Sequence, residues 1–275
     1  MSALTSSIGS SNHAITAIQA AFSYLDTREI FTYTRANRKL AGAFNFIWGP
    51  AECRKTNFVG QKDFKEFLKV DIGQDPLFPD GLISDLLEPD GYRKYTFETH
   101  MVIHMSRSFI KQNGAKEGHT LNTYGKLIAP HFHGASEGEP DYSFKKQEGE
   151  DGYESFRGDA RKEYGDKGIK EERYLLLIKM DQVLPKSRGK EFVAWSNEKG
   201  GFHATVEISE ALDTVVACSM KFFKTKIYPS FSVCCKEVSG GYHLGVEGNA
   251  LGGPWIGYPS EYDSGILTSR KFICS

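Results

Sequence analysis

Ile15, Ile18, Phe22 and Leu25 fall on one face at helical spacing, Asn12 stands before them as a cap, and Ala fills much of the remainder. The pattern predicts a helix from about residue 12 to residue 25, preceded by a loose, Ser-rich arm over 1–11. Asp26 and Thr27 interrupt it, and Ile30, Phe31, Leu40 and Phe44 predict a second helical stretch over 28–44. Phe44 to Trp48 is a short apolar run closed by Gly49-Pro50, the pattern of a strand entering a turn. One or two helical turns are predicted over 62–70, and a short helix over 82–87 within a Pro-bearing loop. Tyr95, Phe97 and Thr99 alternate with polar neighbours and lead into Met101, Val102, Ile103 and Met105, which predicts a strand.

The pattern changes at residue 134. The 40 residues from Gly134 to Arg173 hold 20 charged residues and 7 glycines and almost no aliphatic side chains. Such a stretch has too little apolar surface to bury a face, so it is expected to be a solvated insertion or linker. Insertions of this length cost little loop entropy and need not divide a fold. Beyond it, Tyr174 to Met180 is continuously apolar apart from Lys179, as in a strand buried on both faces. Glu191–Trp195, Phe202–Ile208, Thr214–Phe223 and Tyr228–Val233 read as further strands with short turns between them. The tail from Gly240 to Gly265 carries eight glycines with Tyr242, Trp255, Tyr258 and Tyr262, and reads as ordered turns covering the sheet. The expected fold is α+β: N-terminal helices packed on a mainly antiparallel β-sheet or sandwich, with a charged surface insertion near the middle. A single compact domain spans 1–275, with a helical then mixed half over 12–133, the insertion over 134–173 and a β-rich half over 174–275.

Composition narrows the function classes. With 275 residues, 40% hydrophobic and 25% charged, the chain has the material for a substantial core and is neither disordered nor a coiled coil. Thirty-four basic residues against 35 acidic ones give a net charge of -1, so binding to nucleic acid or to an anionic surface must come from a local patch. No run approaches the ~18 apolar residues of a membrane span, and the first thirty residues lack the order of a secretory signal. Five cysteines in a chain of this length read as reduced thiols, which sets the expected location as cytoplasmic.

Four patterns carry chemistry. His104 and Ser106, and His203 and Thr205, are two His-x-Ser/Thr triplets in strand-like settings. A His and the residue two further on share one strand face. The pair resembles the repeated motif of the 2H phosphoesterases. That resemblance implies that His104 and His203 serve as acid and base, that Ser106 and Thr205 hold the phosphoryl oxygens, and that the substrate is an RNA end or a cyclic nucleotide. His131, His133 and Glu137, with Gly125 six residues before the first, are similar to the first half of a cupin metal motif and would suit a divalent metal. Gly49 to Thr56 approaches a phosphate-binding loop, but Arg54 stands where close backbone approach requires glycine. Arg28, Tyr33, Arg35, Arg38 and Lys39, with Phe31 and Phe44, form a basic and aromatic set suited to single-stranded nucleic acid.

The leading expectation is a soluble, non-catalytic binding or assembly protein that forms homo-oligomers and contacts RNA or other single-stranded nucleic acid through the Arg28–Phe44 region. It implies no cofactor and no membrane partner. The metal-independent 2H-type phosphoesterase is the alternative, and a cupin-like metal-binding protein the second alternative.

Overall fold

The computed structural model describes residues 57–86, 100–132, 158–178, 207–226, 232–249, 253–258, 264–266 and 268–274. The expected helices over 12–25 and 28–44 and the strand over 44–48 lie outside these residues, as do the stretches 95–99, 191–195, 202–206 and 228–231. The described residues form an α+β fold of three sheets, mostly antiparallel, with a few helices. Among them no helix is long and apolar enough to cross a membrane.

The first sheet has five strands in the order β1 (Phe58–Val59), β3 (His100–Met105), β6 (Arg173–Ile178), β12 (Thr268–Ile273) and β7 (Glu207–Ile208). Only β1 and β3 run parallel. A three-stranded sheet joins β2 (Val70–Asp71), β4 (Ser108–Lys111) and β5 (Lys116–Gly118). A four-stranded sheet runs β10 (Gly253–Gly257), β9 (Tyr242–Asn249), β8 (Ser232–Ser239) and β11 (Ser264–Ile266).

Strand β6 lies at the centre of the five-stranded sheet, and Tyr174, Leu175, Leu176 and Leu177 are all buried. Its continuous apolar run thus does what the sequence predicts, because both faces are covered. On one face Leu175 and Leu177 join Val59, Met101, Ile103 and Met105 in the main core. On the other, Tyr174 packs with Phe58 and Phe78, whose ring centroids lie 6.1 Å and 4.9 Å from its own. Phe78, together with Leu82 and Leu86 of α2 (Asp80–Leu86), belongs to a segment that covers this second face. Three further ties hold the cover down: the Tyr174 hydroxyl donates to the Pro76 carbonyl, Arg270 on β12 pairs with Asp85, and Asp75 bonds a histidine on β3.

Local chemistry sets the helix ends. Helix α1 (Gln61–Asp63) continues as a π-helical turn, Phe64–Leu68, and Asp63 accepts the Gly60 N–H at 3.0 Å. Gly60 is required there, since a Cβ would stand 2.3 Å from the Phe58 ring and 2.5 Å from the Asp75 carboxylate. Helix α3 (Leu121–Ile128) opens with a reciprocal cap: Thr120 Oγ1 accepts the Thr123 N–H, and Thr123 Oγ1 accepts the Thr120 N–H.

Two expectations differ from the structure, and a third falls only partly within the described residues. Residues 214–223, expected as a strand, lie within helix α5 (Ala211–Thr225). Twelve of its residues are buried, so only Lys221, Lys224 and Thr225 in its last turns mark a polar face, and its β-branched Thr214, Val215 and Val216 imitate a strand. It packs on β8, β9, β10 and α3. The glycine-rich tail, expected as turns, supplies strands β9, β10 and β11. Its glycines permit close backbone pairing: a Cβ at Gly248 would lie 2.2 Å from the Gly253 carbonyl oxygen. Finally, residues 158–173 of the charged stretch are folded, while 134–157 lie outside the described residues. Helix α4 (Gly158–Tyr164) sends Ala160 into the core, Ile169 follows, and Tyr164 Oη donates to the Val238 carbonyl at 2.7 Å. Ala160, Ile169 and the partly buried Tyr164 make the segment's apolar contacts, and Lys162, Glu163, Asp166, Lys167, Lys170 and Glu171 stay exposed.

Leu177→Ala, which empties a fully buried site in the central strand, is expected to cost about 3 kcal/mol of stability in urea denaturation. Ile273→Ser, at a position half exposed on β12, should change it by less than about 0.5 kcal/mol. Equal losses from both would contradict the central placement of β6.

Candidate functional site

His104 lies on β3 opposite Tyr174 of β6, with its ring centroid 5.3 Å from the tyrosine's. Period-two alternation puts it on the second face of the sheet, with Val102 before it and Ser106 after it. The ring is fully buried. Nδ1 stands 3.0 Å from Asp75 Oδ1 and Nε2 stands 2.7 Å from Glu172 Oε1. Asp75 is itself buried and also accepts the Gln61 N–H at 2.8 Å, which ties the covering loop to the start of α1. Glu172 is the half-exposed partner. Its place follows from alternation along β6, for Glu172 and Tyr174 share the histidine's face while Arg173 between them points the other way.

A neutral imidazole carries one N–H, whereas this ring faces a carboxylate oxygen on each side. Both contacts are hydrogen bonds only when the three groups together hold one proton more than a neutral ring and two carboxylates. His104 is therefore a bridge between two carboxyl groups. A phosphoryl group approaching Nε2 would have to displace Glu172. The Ser106 hydroxyl donates to the Ser108 carbonyl at 3.0 Å. His203 and Thr205 lie outside the described residues, as do Arg28, Tyr33, Arg35, Arg38 and Lys39.

His131 sits in a short 3-10 turn, Ala129–His131, after α3, with its ring 5.0 Å from that of Phe223. Burial lowers its pKa, and the nearby charges of Lys226 and Lys69 lower it further. Two lysines beside the ring oppose a cation at the same place. His133 and Glu137 lie outside the described residues, and among the described residues no three His, Cys, Asp or Glu side chains gather as metal ligands.

Behind the sheet lies a charged network that no local spacing announces. Arg173 Nη2 donates to Asp213 Oδ1 at 3.1 Å and to Glu210 Oε2 at 3.2 Å, and Lys271 pairs with Glu210. Burial raises Asp213 to about 6 against the opposing pull of Arg173. Burial also pushes Glu237 up to about 7, although both its oxygens accept the Ala211 N–H at the start of α5. For Glu210 burial acts upward, but the Lys271 hydrogen bond and charge prevail and the net shift is downward. His119, buried against Phe64, Phe109 and Tyr124, faces the Ser106 carbonyl with Nδ1 at 3.1 Å, which fixes Nδ1 as its N–H. Burial lowers it to about 4, with the Ser106 bond acting the other way. Sequence reasoning missed Asp75, Glu172, His119 and this network. Asp75 and Glu172 stand 29 and 68 residues from His104, so only the sheet register brings them together.

Comparison with known protein families, with characterised proteins and with solved structures yields no match to this chain.

The shifts have opposite signs in stability. A depressed histidine pKa means that the unfolded chain binds the proton first, so the His119 contribution is full above pH 6.5 and is lost as pH falls toward 4. Raised carboxyl values mean that the folded chain holds the proton longer. The contributions of Asp213 and Glu237 are thus full below about pH 4 and are lost as pH rises through 6 and 7. His119→Gln isolates the first effect. The stability difference between the wild type and this variant should shrink by about 3 kcal/mol between pH 7 and pH 4 in urea denaturation. A difference independent of pH would show that His119 is not held neutral by its surroundings.

Proposed function

We propose that this chain is a non-catalytic binding and assembly protein that associates with further copies of itself through the tip of the β8–β9 hairpin. One observation carries the reading. Tyr242 is 67% exposed, Val238 beside it is 41% exposed, and the Tyr258 ring lies 5.5 Å from that of Tyr242. Exposed aromatic and apolar groups clustered on a rigid element mark contact surfaces. This hairpin is held in place by the two-residue Gly240-Gly241 turn and by the Tyr164 hydroxyl on the Val238 carbonyl, so little order has to be imposed on association. A net charge of -1 sets no long-range repulsion between copies.

In the same reading single-stranded nucleic acid is contacted by Arg28, Tyr33, Arg35, Arg38 and Lys39, whose guanidinium, ammonium and aromatic groups suit phosphates and bases. The setting is cytoplasmic, which suits Cys218, Cys234, Cys235 and Cys274, none of which forms a disulfide among the described residues. The engagement of both His104 nitrogens by carboxylates favours this reading over hydrolysis.

Size-exclusion chromatography with light scattering should show a concentration-dependent oligomer. Tyr242→Ser should weaken association by tenfold or more while changing stability by less than about 0.5 kcal/mol. Adding single-stranded RNA at low salt should shift elution, and the paired substitutions Arg35→Ala and Arg38→Ala should reduce that shift. A monomer at every concentration that ignores RNA would overturn the proposal. Hydrolysis of a 2',3'-cyclic phosphate that His104→Ala abolishes would select the phosphoesterase instead.

A further inference from the structure

We propose that Asp75, His104 and Glu172 form a proton-dependent latch, closed while the bridge holds its additional proton and opened on the Glu172 side when that proton leaves. The argument is one of valence and burial. Closed, the ring donates from Nδ1 to Asp75 and from Nε2 to Glu172, at 3.0 Å and 2.7 Å. With one proton fewer, the ring has a single N–H for two carboxylates, and an unprotonated Nε2 faces a carboxylate oxygen lone pair to lone pair. Two features decide which contact survives. Asp75 is 3% exposed and is also held by the Gln61 N–H, so it has no path to water and stays on the ring. Glu172 is 37% exposed and reaches water by rotating its own side chain. Its backbone stays in place, because its carbonyl accepts the Cys274 N–H at 3.0 Å.

The opened state is a buried Asp75–His104 pair with Nδ1–H on the aspartate and a bare Nε2 turned toward the place Glu172 has left. The covering segment over 72–86 keeps its Asp75 tie in both states. What changes is the access of solvent to the ring and the place of the Glu172 carboxylate.

The structure places the following titratable and charged groups against the bridge. Asp75 comes from the covering loop, Glu172 from the residues before β6 and Tyr174 from β6, its hydroxyl fixed on the Pro76 carbonyl. His119, held neutral by burial, feels the His104 charge. The Cys274 thiol, pushed up to about 11 by burial and then by Glu172, lies at the end of β12. The two last groups keep one state between pH 5 and 9.

Nitrogen-15 NMR of the histidine side chains between pH 5 and 9 tests the latch on the wild-type protein. The expected result is a His104 ring with two N–H groups at the acid end and Nδ1–H alone at the alkaline end. Solvent exchange of the remaining ring N–H, corrected for the intrinsic pH dependence of exchange, should quicken in step. Glu172→Gln supplies the second readout. Its amide N–H donates to an unprotonated Nε2, so this variant should keep a single N–H on the ring throughout. A wild-type ring with one N–H across the whole range, or with two across the whole range, overturns the proposal. So does a ring N–H whose solvent exchange ignores a change in the ring, or a Glu172→Gln variant that retains the wild-type pH dependence.

Discussion

Strand β6 is apolar on both sides, and that constraint organises the described structure. A strand with only one buried face would leave half of its run of Tyr174 and three leucines in water, at a cost of about 2 kcal/mol for each large side chain. The five-stranded sheet therefore needs two covers. The main core with α5 supplies one. The other is a short segment, residues 72–86, whose residues 72–79 form neither helix nor strand. It stays in place through aromatic packing on Tyr174 and through polar ties to β3, β6 and β12.

Those ties explain why charged groups enter the interior. Each buried charge costs more than it returns unless it is paired and hydrogen-bonded. Around β6 the pairing follows the alternation of the strand. Glu172 goes to the histidine's side, Arg173 to the side of α5, and each meets an opposite or complementary partner there. Arg173 offsets the burial of Asp213 in the first turn of α5, and Glu237 caps the same helix start. The one stretch of residues 172–174 thus reaches His104, Asp213 and Phe78. Such groups specify a single arrangement of cover, sheet and helix, because a shifted register would leave several of them unpaired.

The sequence carried the class of the fold and the nature of its central strand. The pattern of 174–180 announces a doubly buried strand, and Met101 to Met105 announces its neighbour. Where periodicity is absent the reading failed. Helix α5 is buried nearly all round, so hydrophobic pattern cannot separate it from a strand, and β-branched residues tipped it the wrong way. The glycine-rich tail looked like turns because glycine signals both turns and strands with close backbone approach. Residues 158–173 looked solvated because charge content hid the few apolar contacts, from Ala160, Tyr164 and Ile169, that dock them. At the site, His104 and Ser106 stood out by spacing alone. Their partners did not, because carboxylates brought in from 29 and 68 residues away leave no local trace. The companion triplet His203 and Thr205, the pair His133 and Glu137, and the basic set from Arg28 to Lys39 lie outside the described residues, so the structure adds nothing to them.

Native-state hydrogen exchange of the backbone amides of residues 174–177 tests the central claim most directly. If β6 is the doubly covered centre of the sheet, these amides exchange only through global unfolding and rank among the slowest in the chain. Exchange as fast as that of the two-residue strand β7 at the sheet's edge would contradict it.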